Sequence, residues 1–369
     1  MKKELIDITK KRIWFIAVFF LSLILYKLAF LFPEATEKVY SRAIYPFFAN
    51  IFSSITSVFP FSLAEIGLYA FFIAVVFFII YIPLGALRKG KRLLTVLKRF
   101  FTFLCVISTI ASAFILNWAI NYARVPLKYS MGIETSVYSA EQLKEVSIEL
   151  VNKANSLRDQ VAQDENGVFK LSSSRDEILK QVAKVYEQNA PEYMRMVSSG
   201  ARAKGVFTKN LLSYFETTGI YSPFTYEANL NMQMPESFFP STVAHEYAHL
   251  QGFAREDEAN FISWYVSRNS ENKDFAYSAY LLALTYSLNS LYTASKQYHA
   301  EVYEMLSDGI KRDFAANNSY WDEFDTEFSE QANSVYSDYL KASGVEDGNK
   351  SYGRMLDLIL GMHEMGLSL

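Results

Sequence analysis

The run His245-Glu246-Tyr247-Ala248-His249 carries residue types and a spacing that suit metal-assisted hydrolysis. On a helix, residues four apart stand one above the other, so both imidazoles can address one ion. Glu246 is their neighbour on the same turn, placed to act as a general base on an activated water rather than as a ligand. The flanking residues favour a helix. Ser241 or Thr242 can cap its start, Ala244, Ala248 and Leu250 propagate it, and Gly252 can end it in a left-handed C-cap.

A catalytic zinc site needs a third protein ligand and one open position. The candidates are Glu256 and Glu258, since Arg255 stands where a third histidine would otherwise complete the set. After Gly252 the chain can reverse, and a second helix starting near Ala254 would have acidic residues in its first turn. On that helix Glu256 and Asn260 share a face, and Glu258 points about 200° away. The expected mechanism is attack of a zinc-activated water on a peptide carbonyl. Glu246 would take the proton and deliver it to the leaving amine.

His-Glu-x-x-His followed by Glu256-x-x-Ala259-Asn260 resembles the gluzincin class of metallopeptidases. The run from His245 to Phe261 is part of a wider likeness. With Ser222-Pro223-Phe224-Thr225, Glu227-Ala228-Asn229, the apolar N-terminal segments and Ser351-Tyr352-Gly353-Arg354, it looks like an uncharacterised bacterial family of predicted membrane zinc peptidases. The resemblance implies zinc as cofactor, favours Glu256 as third ligand, and names no substrate. The gap between His249 and Glu256 is shorter than in better-known gluzincins.

Such a site must be held by the rest of the chain, which divides near residue 121. Residues 1–121 hold 14 Lys+Arg and 5 Asp+Glu, whereas residues 122–369 hold 22 and 34. An acidic second part of 248 residues is large enough for one core and argues against nucleic acid as partner. One cysteine, Cys105, allows neither an internal disulfide nor a cysteine-based metal site. The first part predicts three transmembrane helices at about 13–32, 66–87 and 100–120. Ala43 to Ala64 is free of charge but punctuated by Pro46, Asn50 and Pro60, and is expected to lie at the interface or against other helices. Basic residues before the first span and from Arg88 to Arg99 place those segments in the cytoplasm. Asn121 onward then lies outside it.

The second part predicts a mainly α fold with a minor β component. Helices are expected at Ala140–Gln163, behind a Ser139/Gln142 capping box and ended by Asp164 to Gly167, from Ser174 or Asp176 to Gln188, and at Val206–Phe215. Strand character is confined to Gly219–Met232, where Thr225, Glu227 and Asn229 form a polar edge that could align a substrate backbone. Helices follow Asn260, with breaks near Asn269–Lys273, Thr293–Ser295 and Asn317–Ser319, and Gly344–Asn349 reads as a flexible linker. Tyr352, Arg354 and His363 are candidate oxyanion donors, and His299 reads as a surface residue. Tyr277, Tyr280, Tyr286, Tyr292, Tyr298 and Tyr303, with Phe275, are expected to pack between helices. The sequence thus predicts a membrane-anchored zinc endopeptidase on the outer face of a bacterial cytoplasmic membrane. A protein or peptide of the envelope would be its substrate. The competing reading is a non-catalytic envelope binding or assembly protein that retains a zinc site.

Overall fold

The computed structural model describes residues 2–87, 92–198 and 200–369, with side chains from residue 12 onward. It is mainly helical with one three-stranded sheet. Three stretches are long and apolar enough to cross a membrane: Arg12–Leu31, Leu63–Leu87 and Arg92–Asn117. Only 11%, 6% and 11% of their apolar windows is covered by the rest of the chain, leaving surface that water would solvate poorly. They lie in α1 (Lys2–Leu31), in α3 (Leu63–Tyr81) with its continuation, and in α4 (Arg92–Asn117). The third begins eight residues before the expected Phe100 and ends at Asn117. Arg92–Arg99 is therefore helix rather than loop, and residues 88–91 of the basic segment lie outside the described residues.

Between α1 and α3 no described helix is long and apolar enough to cross a membrane. Residues 33–44 form a helical turn that widens into a π-helix, turning Glu37 and Ser41 inward, and α2 (Tyr45–Thr56) follows. This segment is locked to the C-terminal part by polar contacts. Glu37 pairs with Arg124, Lys204 pairs with Glu227 and donates to the carbonyls of Thr56 and Phe61, and Ser62 donates to Asn229. Glu227 also accepts from the backbone N–H groups of Leu63 and Ala64, where the helix dipole favours a negative charge. Tyr45, Ala49, Trp118 and Tyr122 belong to the same apolar core as the C-terminal helices. The boundary at residue 121 is thus a change of composition, with the core running across it.

In the C-terminal part, α5 (Ala140–Arg158) starts with the expected capping box but stops at Arg158, before the turn at Asp164–Gly167. Ser174 caps α6 (Arg175–Asn189). The helix expected at Val206–Phe215 does not form. Its start is taken by β1 (Ala203–Gly205), whose pairing continues as Val206 N–H donates to Leu230. Glu65 then captures the N–H groups of Phe207 and Thr208. Only a short 3-10 turn, Ser213–Phe215, remains. The Gly219–Met232 stretch is a hairpin of β2 (Gly219–Ser222) and β3 (Glu227–Leu230), turning at Tyr226 with φ 52°. Because the strand order is β1-β3-β2, β3 is central: Glu227 and Asn229 are buried structural groups, and the expected polar substrate edge is not an edge. Among the described residues, β2 has β3 as its one strand neighbour and keeps its other side without a strand partner.

The remaining helices are α7 (Phe239–Leu250), α8 (Glu256–Ser267), α9 (Lys273–Ala294), α10 (Lys296–Glu304), α11 (Asp308–Asp322), α12 (Glu327–Ala342) and α13 (Met355–Glu364). The breaks near 269–273 and 293–295 occur, but α11 runs through 317–319. Residues 344–349 are no linker: a 3-10 helix, Gly348–Arg354, packs there with Gly348 buried. Phe275, Tyr277 and Tyr280 are core residues, whereas Tyr292 and Tyr303 are exposed.

Candidate metal centre

α7 starts at Phe239 with Pro240 in its first turn, earlier than a Ser241 or Thr242 cap would place it. Ser241 is inside the helix, where its N–H donates to Ser278 and its hydroxyl to Phe238. The other end is as expected. Gly252 takes φ 90°, its N–H donates to His249, and Phe253 N–H donates to Ala248, a Schellman ending. The reversal brings the first residue of α8, Glu256, back over the two histidines, with Arg255 at the N-cap.

Glu256 Oε2 stands 3.2 Å from His245 Nε2 and 3.3 Å from His249 Nε2. All three side chains are buried. Ligand atoms bound at about 2.0–2.1 Å around a tetrahedral ion lie about 3.3–3.4 Å apart, so these separations suit a shared cation. Oε2 makes no directed hydrogen bond with either ring, and His245 Nδ1 is also unpartnered. Burial works against charge on Glu256, but the imidazoles of His249 and His245 outweigh it and hold its carboxyl well below the usual range. Burial likewise opposes charge on His249, yet the Glu256 carboxylate raises the ring to about 9. The pocket therefore attracts positive charge between these groups, as a proton or a metal ion.

Neighbours fix the donors. His249 Nδ1 lies 2.6 Å from the Phe253 carbonyl, which sets the tautomer with Nδ1–H donating and Nε2 free. Tyr336 donates to the other oxygen of Glu256 at 2.6 Å. Glu246 is buried with Oε2 unpartnered, and burial raises its carboxyl above the ordinary range against the pull of both imidazoles. A Cβ at Gly219, the first residue of β2, would come within 2.5 Å of Glu246 Cγ. Only glycine leaves room for the base there.

Glu258 points away, as its position on the helix requires, and accepts from Leu127 N–H at 2.7 Å. Asn260 shares the Glu256 face and donates to Tyr286 and to the Tyr352 carbonyl. Of the candidate oxyanion donors, Tyr352 stacks beside His245 at 6.4 Å and donates to Tyr336. Arg354 instead pairs with Asp347, and His363 lies 3.8 Å from Glu149, both away from the site. His299 lies at the surface between Tyr292 and Tyr303.

Several residues at the site left no mark in the sequence. Arg124 forks onto both oxygens of Glu37, donates to the Gly252 carbonyl at 2.9 Å and lies over the Phe253 ring. Tyr45 donates to the carbonyls of His249 and Leu250 and shares a hydrogen bond with Tyr221. Trp118 meets the His249 ring edge-on at 5.7 Å. All three come from outside the α7–α8 run, and nothing in their local pattern distinguishes them from ordinary core residues.

No curated protein and no solved structure matches the chain. Residues 40–360, from the π-helical segment through α13, match the family model described as a protein of unknown function, DUF3810. That match takes in α7, α8 and the residues that brace them, so the chain belongs to this family.

Proposed function

We propose that the chain is a membrane-anchored, zinc-dependent endopeptidase. The observation that carries this reading is the convergence of Glu256 Oε2 on both histidine Nε2 atoms, with Glu246 buried and unpartnered beside them. His245, His249 and Glu256 would hold the ion. When bound, zinc supplies a Lewis acid that polarises a carbonyl and makes water nucleophilic near neutral pH. Glu246 accepts the proton of the attacking water and passes it to the leaving amine. The Phe253 carbonyl and Tyr336 orient His249 and Glu256, and Tyr352 is the nearest candidate donor to a developing oxyanion. The unpaired side of β2, which starts beside Glu246, offers backbone groups to an extended peptide. Denatured casein and a mixed peptide library, incubated with the detergent-solubilised chain, test this. Cleavage should stop on chelation and return with one equivalent of zinc but not with magnesium. Cleavage indifferent to chelation would overturn the reading, and stoichiometric zinc without turnover would favour a binding or assembly protein.

The same reading places residues 122–369 outside the cytoplasm. With three spans, residues 33–62 and the C-terminal part lie on one side of the membrane, and their packing against each other supports that arrangement. The basic residues at the N-terminus and before the third span set the cytoplasmic side. A fluorescent reporter that matures only in the cytoplasm should stay dark when fused after Leu369. Bright fusions of full length would reverse the orientation.

A further inference from the structure

Resting on the peptidase reading, we infer that the metal centre works at the bilayer surface, on polypeptides that are themselves membrane-anchored, and cuts them next to their anchor. Three independent features lead there. First, α2 has two unlike faces. Tyr45, Pro46, Ala49, Ser53 and Thr56 are buried against the C-terminal part, while Phe47, Phe48, Ile51, Phe52 and Ile55 face outward and are exposed. Apart from Ser54 the exposed face is apolar, and the chain carries no charge from Ala43 to Ala64. Short connections join α2 to two spans, residues 32–44 from α1, which ends at Leu31, and residues 57–62 to α3, which begins at Leu63. A helix of this kind tethered at both ends to membrane helices lies in the interface with its apolar face in lipid. The occupant of that face is therefore the bilayer.

Second, the site is directly above this layer. Trp118, in ring contact with His249, immediately follows Asn117, the last residue of the third span. Tyr45, on the inner face of α2, donates to the backbone of His249 itself. Third, the strand beside Glu246 leads down to the membrane. β2 runs from Gly219 to Ser222, and Phe224 in the following turn meets Phe114 in the last turn of α4 at 6.4 Å. Phe207, from the β1 side, meets Tyr69 of α3 at 6.4 Å. A four-residue strand spans roughly 13 Å. An extended substrate lying along β2 would therefore leave the lipid and reach Glu246 within a few residues. Ile220 and Phe224 are exposed along that path and suit apolar juxtamembrane sequence.

The full chain is reconstituted in phosphatidylethanolamine/phosphatidylglycerol vesicles with a single-span helix followed by a randomised, unstructured 40-residue segment. The same segment without an anchor is the comparison, and cuts are mapped by mass spectrometry. Cuts should fall within about ten residues of the anchor, at least tenfold faster than in the free segment. Equal rates, or cuts spread evenly along the segment, would overturn the bilayer-surface inference while leaving the peptidase reading intact. Absence of any cleavage by the zinc-loaded chain would overturn both. A second measurement is independent of turnover. With Cys105→Ser as background, Phe47→Cys and Ile51→Cys carry a fluorophore quenched by spin-labelled lipid, and Asn166→Cys, in an exposed turn, serves as reference. Strong lipid quenching at 47 and 51 but not at 166 supports the inference. Quenching there by aqueous iodide alone would overturn it.

Discussion

Glu246→Gln is expected to lower kcat/KM roughly 10²–10⁴-fold, about 2.7–5.4 kcal/mol of transition-state stabilisation, while the protein keeps its metal and its fold. Glutamine has the same shape and fits the space bounded by Gly219. It cannot accept the proton. Because Glu256 and the two histidines supply the converging donors, metal content should be the same in both proteins. Steady-state cleavage with metal analysis on the same samples checks this. Equal turnover would remove the general-base role, and lost metal would make Glu246 part of the binding set instead.

The largest stability effect is expected at Arg124, far from the motif in sequence. Arg124→Ala strips Glu37 of its buried fork and leaves it only the half-exposed Arg42, and it leaves the Gly252 carbonyl without its donor and the Phe253 ring uncovered. Stripping a buried charge of all its partners costs about 3–5 kcal/mol, which is the upper bound here because Arg42 stays on Glu37. For a part of this size that corresponds to a fall in Tm of roughly 6–20 °C. Gly252 and Phe253 form the turn that holds His249 Nδ1, so metal affinity should fall as well. Arg124→Lys keeps the charge but cannot fork onto both oxygens of Glu37 while reaching Gly252, and should lie between. Thermal unfolding in detergent checks the series. A shift of the size of a surface substitution, under about 0.5 kcal/mol, would mean that the pair does not brace the site.

Legibility in the sequence followed the range of the interactions. The helix carrying the candidate ligands is legible because two imidazoles at i, i+4 and a glycine past the second one are local signals. The structure adds Glu256 Oε2 within 3.3 Å of both rings and Glu258 turned to Leu127. The three helices long and apolar enough to cross a membrane are legible as apolar runs. β1 was not, because three residues with no alternation pair with a strand more than twenty residues later. The polar alternation of Thr225, Glu227 and Asn229 suggests an edge that aligns a substrate backbone, but Glu227 and Asn229 lie on the buried central strand. Its polar groups are satisfied by Lys204, Ser62 and the N-terminus of α3, partners that lie far away in sequence. The same holds for Arg124, Tyr45 and Trp118. Their roles depend on residues 33–62 folding back onto the C-terminal core, which no local pattern records.

Zinc content per chain in the purified protein, compared across wild type, Glu256→Gln and Glu258→Gln, tests the central claim most directly. The account predicts close to one zinc in wild type and in Glu258→Gln after exhaustive dialysis, and little in Glu256→Gln, where a converging carboxylate is gone. Zinc retained by Glu256→Gln but lost from Glu258→Gln, or a properly folded wild-type chain that takes up none when zinc is supplied, would contradict it.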